Sequence, residues 1–558
     1  MTIAHNLADS LYGESSIDYA TSIQNLGVYY LMKGDFTRSL YYSKKAYNNI
    51  YGDRKGITHN LAAIYSTLNE VDSCYKYTKE SWELSCQDLI NDIFNLSKEN
   101  RFNYILTERN HGMSTTPINY MLCHEDNSEF KRLALDCALF SIDLMTTCMD
   151  DNSLKSYNLH CYEEVKSMLK DGEVAIQIWD DKFDKEGRLL AFIIRRNYEA
   201  PIIVDLLKDR IKRTLNNEFP TTPNRLPLYD NIWKDLIEAA EIEEGEKIFI
   251  SLDGVLTNFP IEFICGYDWV YVDDKYDIMR LTSIKEINKQ IINENTNYVD
   301  AVLYGGLKYD CETTSILNGS YASYKGKRSI KENLFEEIPD STYSAMRFST
   351  KYLPWTKIEV DSIFHILQDS LESIKLYEGD YGIEETFKAL SGDSPSIVHI
   401  ATHGYLGLSN EVMDLWNIYV YFMENTGLLF SGVLNTTKIN IDSLIVEDGI
   451  LRSTEISTLD FRNTKLLVLS ACNTGIGGNT VLGTIGLLRA FKAAGVGTII
   501  MTLKEVDDSA CYYLMKNFYK FLIYGYTARD SLKMAQIVLR KSEEFKDFNY
   551  WAYFSIID

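Results

Sequence analysis

A histidine and a cysteine in the last third of the chain have the residue types and the setting needed for nucleophilic catalysis. His403 follows the apolar run 397–401, and Cys472 follows the apolar run 466–470. A thiol attacks a carbonyl carbon only as a thiolate or with a base beside it, and imidazole is the side chain whose pKa suits that role near neutral pH. We therefore predict that His403 activates Cys472.

Attack on a carbonyl also requires donors for the negative oxygen that forms in the transition state. Gly404 follows His403 directly, and its backbone N–H has no side chain to obstruct a substrate. The backbone N–H of Cys472 is the second candidate donor. Because removing one such donor typically lowers the rate by about a hundredfold or more, we predict an oxyanion hole formed by Gly404 and Cys472.

The elements around these residues are short apolar strands that alternate with helical patterns, which is typical of a parallel α/β sheet. The carboxyl ends of such strands meet at one edge, so His403 and Cys472 become neighbours although they are far apart in sequence. Each residue also has a structural explanation, because a histidine can cap a strand and cysteine is often buried. His399 alternates to the opposite face of its strand and is predicted to be core.

The residues around this pair form a longer pattern. Its motifs are VHIATHGYL at 398–406, EDGILRSTEIS at 447–457, KLLVLSACNTGIG at 465–477, VLGTIGLLRAFKAAGVGTIIMTLKEVDD at 481–508 and the closing NYWAYFSIID. In this order they resemble the CHAT family of caspase-like cysteine peptidases, which is related to separase and the caspases. The resemblance implies an α/β caspase-like fold, a mostly parallel sheet with flanking helices, in which Cys472 is the nucleophile and His403 its base.

Two earlier motifs extend the resemblance toward the middle of the chain. GEVAIQIW at 172–179 and EGEKIFISLDGVLTNFPIEFI at 244–264 resemble the front half of the CHAT domain. In that family the front half resembles a peptidase sheet without its catalytic residues. We interpret Asp253-Gly254 as a tight turn and Pro260 as a strand exit.

The segment LKEVDD at 503–508 resembles the matching loop of separase and CHAT enzymes. In separase an aspartate of this loop receives the basic residue before the cut. The resemblance implies that Asp508, with Asp507 second, pairs with an arginine or lysine of the substrate. An N-cap for a helix that starts at Ser509 explains the same acidic residues equally well.

The first part of the chain contains an internal repeat with a period of 35. Similar residues recur 35 positions apart: the first set is Leu26-Gly27, Tyr30, Ser39, Tyr42 and Ala46, and the second is Leu61-Ala62, Tyr65, Cys74, Tyr77 and Ser81. Small residues where helices touch and aromatic residues beside them are typical of tetratricopeptide repeats, which residues 11–51 resemble. Gly34-Asp35 is predicted to form the turn between the helices of the first repeat.

These patterns divide the 558 residues into four predicted segments. Tetratricopeptide repeats occupy 1–95, a helical connector 96–154, the front half of the CHAT domain 155–350, and the caspase-like peptidase half 351–558. The all-α segment thus precedes the α/β fold.

Composition limits the classes of partner and compartment. The net charge of −23 argues against DNA binding. Ten scattered cysteines without metal-ligand spacing indicate free thiols, no metal and a reducing compartment. The N-terminal residues lack a signal-peptide pattern, and we find no apolar run of about eighteen residues. We therefore expect a cytoplasmic protein without a membrane anchor and without a cofactor.

The resemblance implies a cysteine endopeptidase that cleaves a specific protein partner after a basic residue. CHAT peptidases with such repeats are tied to bacterial defence, which implies a protein or ribonucleoprotein activator bound through the repeats and a gasdermin-like protein among the substrates. The alternative is a catalytically inactive repeat scaffold. Nucleotide-dependent signalling is not expected, because the glycines at 475, 477 and 478 complete neither known phosphate-loop pattern.

Overall fold

The structure is a computed structural model. The chain folds into two compact units. Unit 1 comprises Met1–Leu144, Asp151–Ser167 and Ile194–Ile203, and unit 2 comprises Met145–Asp150, Met168–Ile193 and Val204–Asp558. The structure describes residues 10, 15–97, 100–101, 104–105, 115–180, 188–206, 208–215, 226–288, 297–312, 314–316, 318, 323, 351–406, 426–436, 446–470 and 481–558. The finer division into four segments stays a prediction.

Unit 1 is mainly helical. The bounds of its helices are α1 Ile17–Met32, α2 Phe36–Tyr47, α3 Arg54–Thr67, α4 Val71–Asn95, α5 Thr115–Cys123, α6 Ser128–Thr147, α7 Asp151–Lys155 and α8 Tyr162–Met168. Two of these helices, α6 and α8, end in residues of unit 2. Side chains of Asp35 and Asp53 accept hydrogen bonds from backbone N–H groups in the first turns of α2 and α3, which satisfies donors that a helix start leaves unpaired.

The repeat predicted from the sequence is present as two helix pairs with the same internal geometry. Tyr30 stacks on Tyr42 with ring centroids 5.5 Å apart, and Tyr65 stacks on Tyr77 at 5.6 Å. Gly34 lies between α1 and α2 with a φ of 73°, a conformation that favours glycine. Both helix pairs therefore close in the way that a tetratricopeptide repeat requires.

The first of two larger sheets, here called the front sheet, lies mostly in unit 2 and has the strand order β3-β2-β1-β4-β5. Its strands are β1 Glu173–Asp180, β2 Leu189–Ile194, β3 Ile202–Asp205, β4 Lys247–Ser251 and β5 Asp277–Leu281. β4 runs parallel to both β1 and β5. β1 and β4 are buried almost throughout, as expected for parallel strands that are covered on both faces.

The second sheet, here called the rear sheet, has the strand order β14-β13-β12-β8-β6-β7. Its strands are β6 Asp300–Leu307, β7 Ser373–Gly379, β8 Ile397–Ile400, β12 Leu466–Leu469, β13 Thr498–Thr502 and β14 Phe554–Ile557. The pairs among β7, β6, β8, β12 and β13 are all parallel, and only β14 runs antiparallel to its neighbour. The prediction of a mostly parallel sheet with flanking helices is therefore confirmed.

A small antiparallel sheet that the sequence analysis did not anticipate follows β8. Its order is β11-β10-β9, with β9 Gly404–Leu406, β10 Thr426–Leu429 and β11 Ile450–Arg452. The helices of unit 2 are α9 Lys208–Leu215, α10 Leu226–Leu228, α11 Asp235–Ala240, α12 Val272–Lys275, α13 Pro354–Leu367, α14 Glu384–Lys388, α15 Ser453–Ile456, α16 Val481–Ala493, α17 Asp508–Ile523 and α18 Ala528–Arg540. A π-helical turn covers Tyr229–Lys234, and 3₁₀ turns cover Gly254–Leu256, Ile261–Phe263, Ile284–Glu286 and Phe548–Tyr550.

Candidate active site

His403 lies at the carboxyl edge of the rear sheet, as predicted. It follows β8, which is flanked by β12 and β6. At the end of β12 the backbone N–H of Ser470 donates to the carbonyl of Ile400 at 3.0 Å, so the chain that leads to Cys472 runs beside the chain that leads to His403. Cys472 lies outside the described residues. The pairing of His403 with Cys472 therefore stays a prediction.

The imidazole of His403 is held in one tautomer. Its Nε2 lies 2.7 Å from the backbone carbonyl oxygen of Lys351. A carbonyl oxygen can only accept, so Nε2 carries the proton and Nδ1 presents its lone pair. Nδ1 is buried and has no hydrogen-bond partner among the residues that the structure describes. A neutral imidazole with a free Nδ1 is the form that a general base requires.

The electrostatic surroundings keep this imidazole neutral at physiological pH. Burial lowers the pKa of His403, because a charged ring is poorly solvated there. The carbonyl of Lys351 and the carboxylates of Asp508 and Glu505 oppose that shift but do not cancel it. His403 is therefore able to accept a proton without first having to lose one.

Tyr309 and Thr402 fix the position of His403. The ring centroids of Tyr309 and His403 are 5.3 Å apart, and the Tyr309 hydroxyl accepts the backbone N–H of His403 at 3.3 Å. The Thr402 hydroxyl lies 2.9 Å from that of Tyr309 and donates to the carbonyl of Leu429 at 2.6 Å. Tyr309 thus contacts both the ring and the backbone of His403, and Thr402 holds the Tyr309 hydroxyl in turn, which limits the motion of the candidate base.

His399, which lies on β8 four residues before His403, is a core residue, as its position on the strand predicts. Its Nε2 lies 2.8 Å from Glu359 of α13 and its Nδ1 lies 3.2 Å from the hydroxyl of Tyr519 of α17, and all three side chains are buried. This network joins α13, β8 and α17. Lys351 precedes α13 and Asp508 begins α17, so the network also sets the spacing of the groups around His403.

The two candidate aspartates have different roles in the structure. Asp507 is the N-cap of α17: its carboxylate accepts the backbone N–H groups of Ser509 and Ala510 at 2.9 and 3.3 Å, so the cap interpretation holds for this residue. Asp508 is the first residue of α17 and is half-buried. No described residue pairs with its carboxylate. Asp508 therefore remains the candidate for substrate recognition.

Gly404 and Ser470 complete the edge of the site. Gly404 is buried and begins β9, where it pairs with Leu428 of β10, and the N–H of Leu429 donates to the carbonyl of His403 at 3.0 Å. The peptide that would supply the Gly404 donor is thus anchored by a neighbouring strand. The hydroxyl of Ser470 is buried and has no hydrogen-bond partner within the described part of the chain. The oxyanion role of Gly404 and Cys472 stays a prediction.

A buried charge cluster supports the small antiparallel sheet. The carboxylates of Glu384, Glu447 and Glu455 lie close enough together to hold a cation. The ammonium of Lys388 occupies that position, at 2.6, 2.9 and 2.6 Å from the three carboxylates. Glu384 also accepts the N–H of Gly449 at 2.9 Å, just before β11. The cluster therefore ties α14 to the sheet whose first strand carries Gly404.

Sequence reasoning missed Lys351, Tyr309 and Ser470. Lys351 contacts His403 through its backbone carbonyl. Every residue type has this group, so the sequence gives no signal for it. Tyr309 follows the apolar strand β6 by two residues, so the rule that polar groups at carboxyl ends form the site could have found it. Ser470 ends the run before Cys472, and the same rule applies to it.

A parallel α/β sheet whose central strand ends in a buried, neutral histidine is the architecture expected of a caspase-like peptidase. The CHAT domain model matches residues 226–558, which is more than half of the chain. This chain belongs to the CHAT domain family, here preceded by tetratricopeptide repeats.

Two further comparisons concern individual proteins. A stretch of 105 residues, 19% of this chain, is 35% identical to Tetratricopeptide repeat protein 28 of Mus musculus and spans 4% of that protein. Two crystal structures of the Saccharomyces cerevisiae separase-securin complex, at 3.0 and 2.6 Å resolution, are similar over 100% of this chain at 9% identity, with TM-scores of 0.38 and 0.39. The chain spans about half of those yeast chains, 48% of each.

Among the described residues, no helix combines the length and apolar character that crossing a bilayer demands.

Proposed function

We propose that this protein is a cysteine endopeptidase in which Cys472 is the nucleophile and His403 the general base. The observation that carries the proposal is the state of His403: its Nε2–H is held by the Lys351 carbonyl, and its buried Nδ1 has no partner among the described residues. Burying a polar atom without a partner is costly. The described part of the neighbouring segment ends at Ser470, two residues before Cys472. The thiol of Cys472 would give Nδ1 of His403 a hydrogen-bond partner.

The proposed reaction divides into two steps. His403 Nδ1 takes the thiol proton of Cys472, and the thiolate adds to the substrate carbonyl while the backbone N–H groups of Gly404 and Cys472 stabilise the oxyanion. The C–N bond then breaks, His403 returns its proton to the leaving amine, and a thioester remains. Water hydrolyses the thioester, with His403 again as base, and restores the thiol.

We propose further that the substrate residue before the cleaved bond is arginine or lysine. Asp508 and Glu505 both act on the charge state of His403, which requires that they lie near it. No described residue neutralises either carboxylate. A substrate guanidinium or ammonium would form a charge-assisted hydrogen bond with Asp508. The pocket is therefore opposite in charge to one that would receive aspartate.

The first test is covalent labelling by electrophilic peptide probes. The purified protein is exposed to a probe that ends in arginine and to a matched probe that ends in aspartate. We expect labelling by the arginine probe that is lost in Cys472→Ala. Equal labelling by both probes would contradict the basic preference. Persistent absence of labelling, even with candidate activators present, would favour the inactive scaffold.

A second prediction concerns the pocket. Asp508→Asn removes a charge that would pair with the substrate, and hydrogen bonds to charged groups contribute about 1.5–3 kcal/mol. We therefore expect kcat/KM for arginine substrates to fall about tenfold or more. Asp507→Asn is the matched control, because asparagine caps helices as well as aspartate does. An equal loss in both variants would show that α17, rather than the pocket, had been disturbed.

We propose that the repeats of unit 1 recruit an activator, either a protein or a ribonucleoprotein. A groove of about 480 Å³ on α3 and α4, lined by Lys55, His59, Trp82 and Asp88 among others, offers a surface for it. A cytoplasmic role in bacterial defence, with a gasdermin-like substrate, is the setting we propose from the family. Labelling with and without a candidate activator measures this, and activation that survives removal of the repeats would contradict it.

A further inference from the structure

An ion pair joins the front half of the CHAT domain to the helix that follows the candidate nucleophile. α16 begins at Val481, nine residues after Cys472. Arg489 lies in this helix, and one of its guanidinium nitrogens is 3.7 Å from a carboxylate oxygen of Asp253. The two side chains are 10% and 1% exposed. The turn after β4 of the front sheet thus has a buried charged contact with α16.

The predicted turn at Asp253-Gly254 is present, but the side chain of Asp253 does not cap it. In a tight turn the aspartate side chain normally accepts a hydrogen bond from the turn that follows. Asp253 makes no such bond to the 3₁₀ turn Gly254–Leu256. Its carboxylate instead lies 3.4 Å from the backbone N–H of Asp180 and faces Arg489. The side chain is therefore committed to tertiary contacts rather than to the local turn.

The front sheet holds this carboxylate in place. Asp253 follows β4 and Asp180 ends β1, and these are neighbouring parallel strands. Gly254 has a φ of +64°, and a Cβ atom at this position would lie 2.0 Å from the Asp180 carboxylate. Only glycine allows the turn to approach β1 so closely. The position of Asp253 is therefore set by two strands and an obligatory glycine.

A buried ion pair of this kind is poor evidence for stability, because desolvation offsets much of the attraction between the charges. Its best-attested use is to select one arrangement of the elements it joins. We propose that Asp253 and Arg489 are positioning residues: the front half of the CHAT domain, through this pair, sets the placement of α16 and with it the reactivity of Cys472. This rests on the proposed function, since it requires Cys472 to be the activated thiol.

The test measures the reactivity of Cys472 directly. The alkylation rate of Cys472 by iodoacetamide is followed by peptide mapping between pH 5 and pH 9 in the wild type, Asp253→Asn, Arg489→Gln and Arg489→Lys. We expect Asp253→Asn and Arg489→Gln to slow alkylation at neutral pH by about tenfold or more, because small displacements of a catalytic group have effects of that size. Their pH profiles should move toward that of an ordinary thiol. Arg489→Lys should restore most of the rate.

Arg529→Gln is the matched control for a loss of stability alone. It removes another ion pair of unit 2, between Arg529 on α18 and Asp558 at 2.6 Å, and should leave the alkylation profile unchanged. Asp253→Asn with a wild-type profile would overturn the inference. If His403→Ala has the same alkylation profile as the wild type, the proposed dyad of Cys472 and His403 is overturned instead. The two failures are therefore distinguishable. A profile altered equally by Arg529→Gln would also overturn the inference.

Discussion

Replacing His403 with alanine is expected to lower kcat by about two to four orders of magnitude, the usual contribution of a positioned general base. The loss follows from removal of the Nδ1 lone pair that the structure leaves without a partner among the described residues. Hydrolysis of an arginine peptide substrate by the active form measures it. His365→Ala, a change at an exposed histidine of α13, is the control and should retain full activity.

The pH dependence of the same reaction reports the protonation of His403. Burial lowers the pKa of this group, so the acidic limb of the profile should have its midpoint below the ordinary histidine value of about 6.5. Below that midpoint the ring is charged and cannot accept the thiol proton, so kcat/KM falls. A midpoint above the ordinary value would contradict the proposed role of the buried, neutral imidazole.

Replacing Lys388 with methionine is expected to lower the free energy of unfolding by about 3–5 kcal/mol, the usual cost of removing one partner from a buried ion pair. The change leaves the carboxylates of Glu384, Glu447 and Glu455 without the ammonium that now contacts all three. Denaturant unfolding measures the effect. Lys308→Met, which removes an exposed lysine that pairs with Asp380, should shift the unfolding midpoint much less.

The Lys388→Met defect should also depend on pH. Burial raises the pKa of Glu384 in the folded protein, so the folded state binds more protons than the unfolded state between the two pKa values. Stability contributed by this group therefore falls as pH rises through that window. The difference between variant and wild type should shrink at acidic pH, where protonation removes an unpaired charge. A defect that is constant with pH would show that lost packing, not charge, is responsible.

Much of the fold follows from local patterns in the sequence. The period of 35 predicted the helix pairs, and the stacking of Tyr30 on Tyr42 and of Tyr65 on Tyr77 repeats at that spacing. Apolar runs that end in polar residues predicted the carboxyl edge at which His403 lies. Alternation along β8 predicted that His399 is core. These features depend on which side of a helix or strand is buried, and spacing along the chain records that directly.

The arrangement around the site depends on contacts between residues that are distant in sequence. The Lys351 carbonyl that orients His403 lies 52 residues before it, and any residue type could supply a carbonyl. The sequence offered two explanations for Asp507 and Asp508, and the start of α17 decided between them for Asp507. Likewise, the sequence predicted the turn at Asp253-Gly254, but only the tertiary structure placed the Asp253 carboxylate beside Arg489. Spacing determined the elements and their buried faces, whereas the paths of the connecting segments, which no periodicity encodes, decided which groups meet.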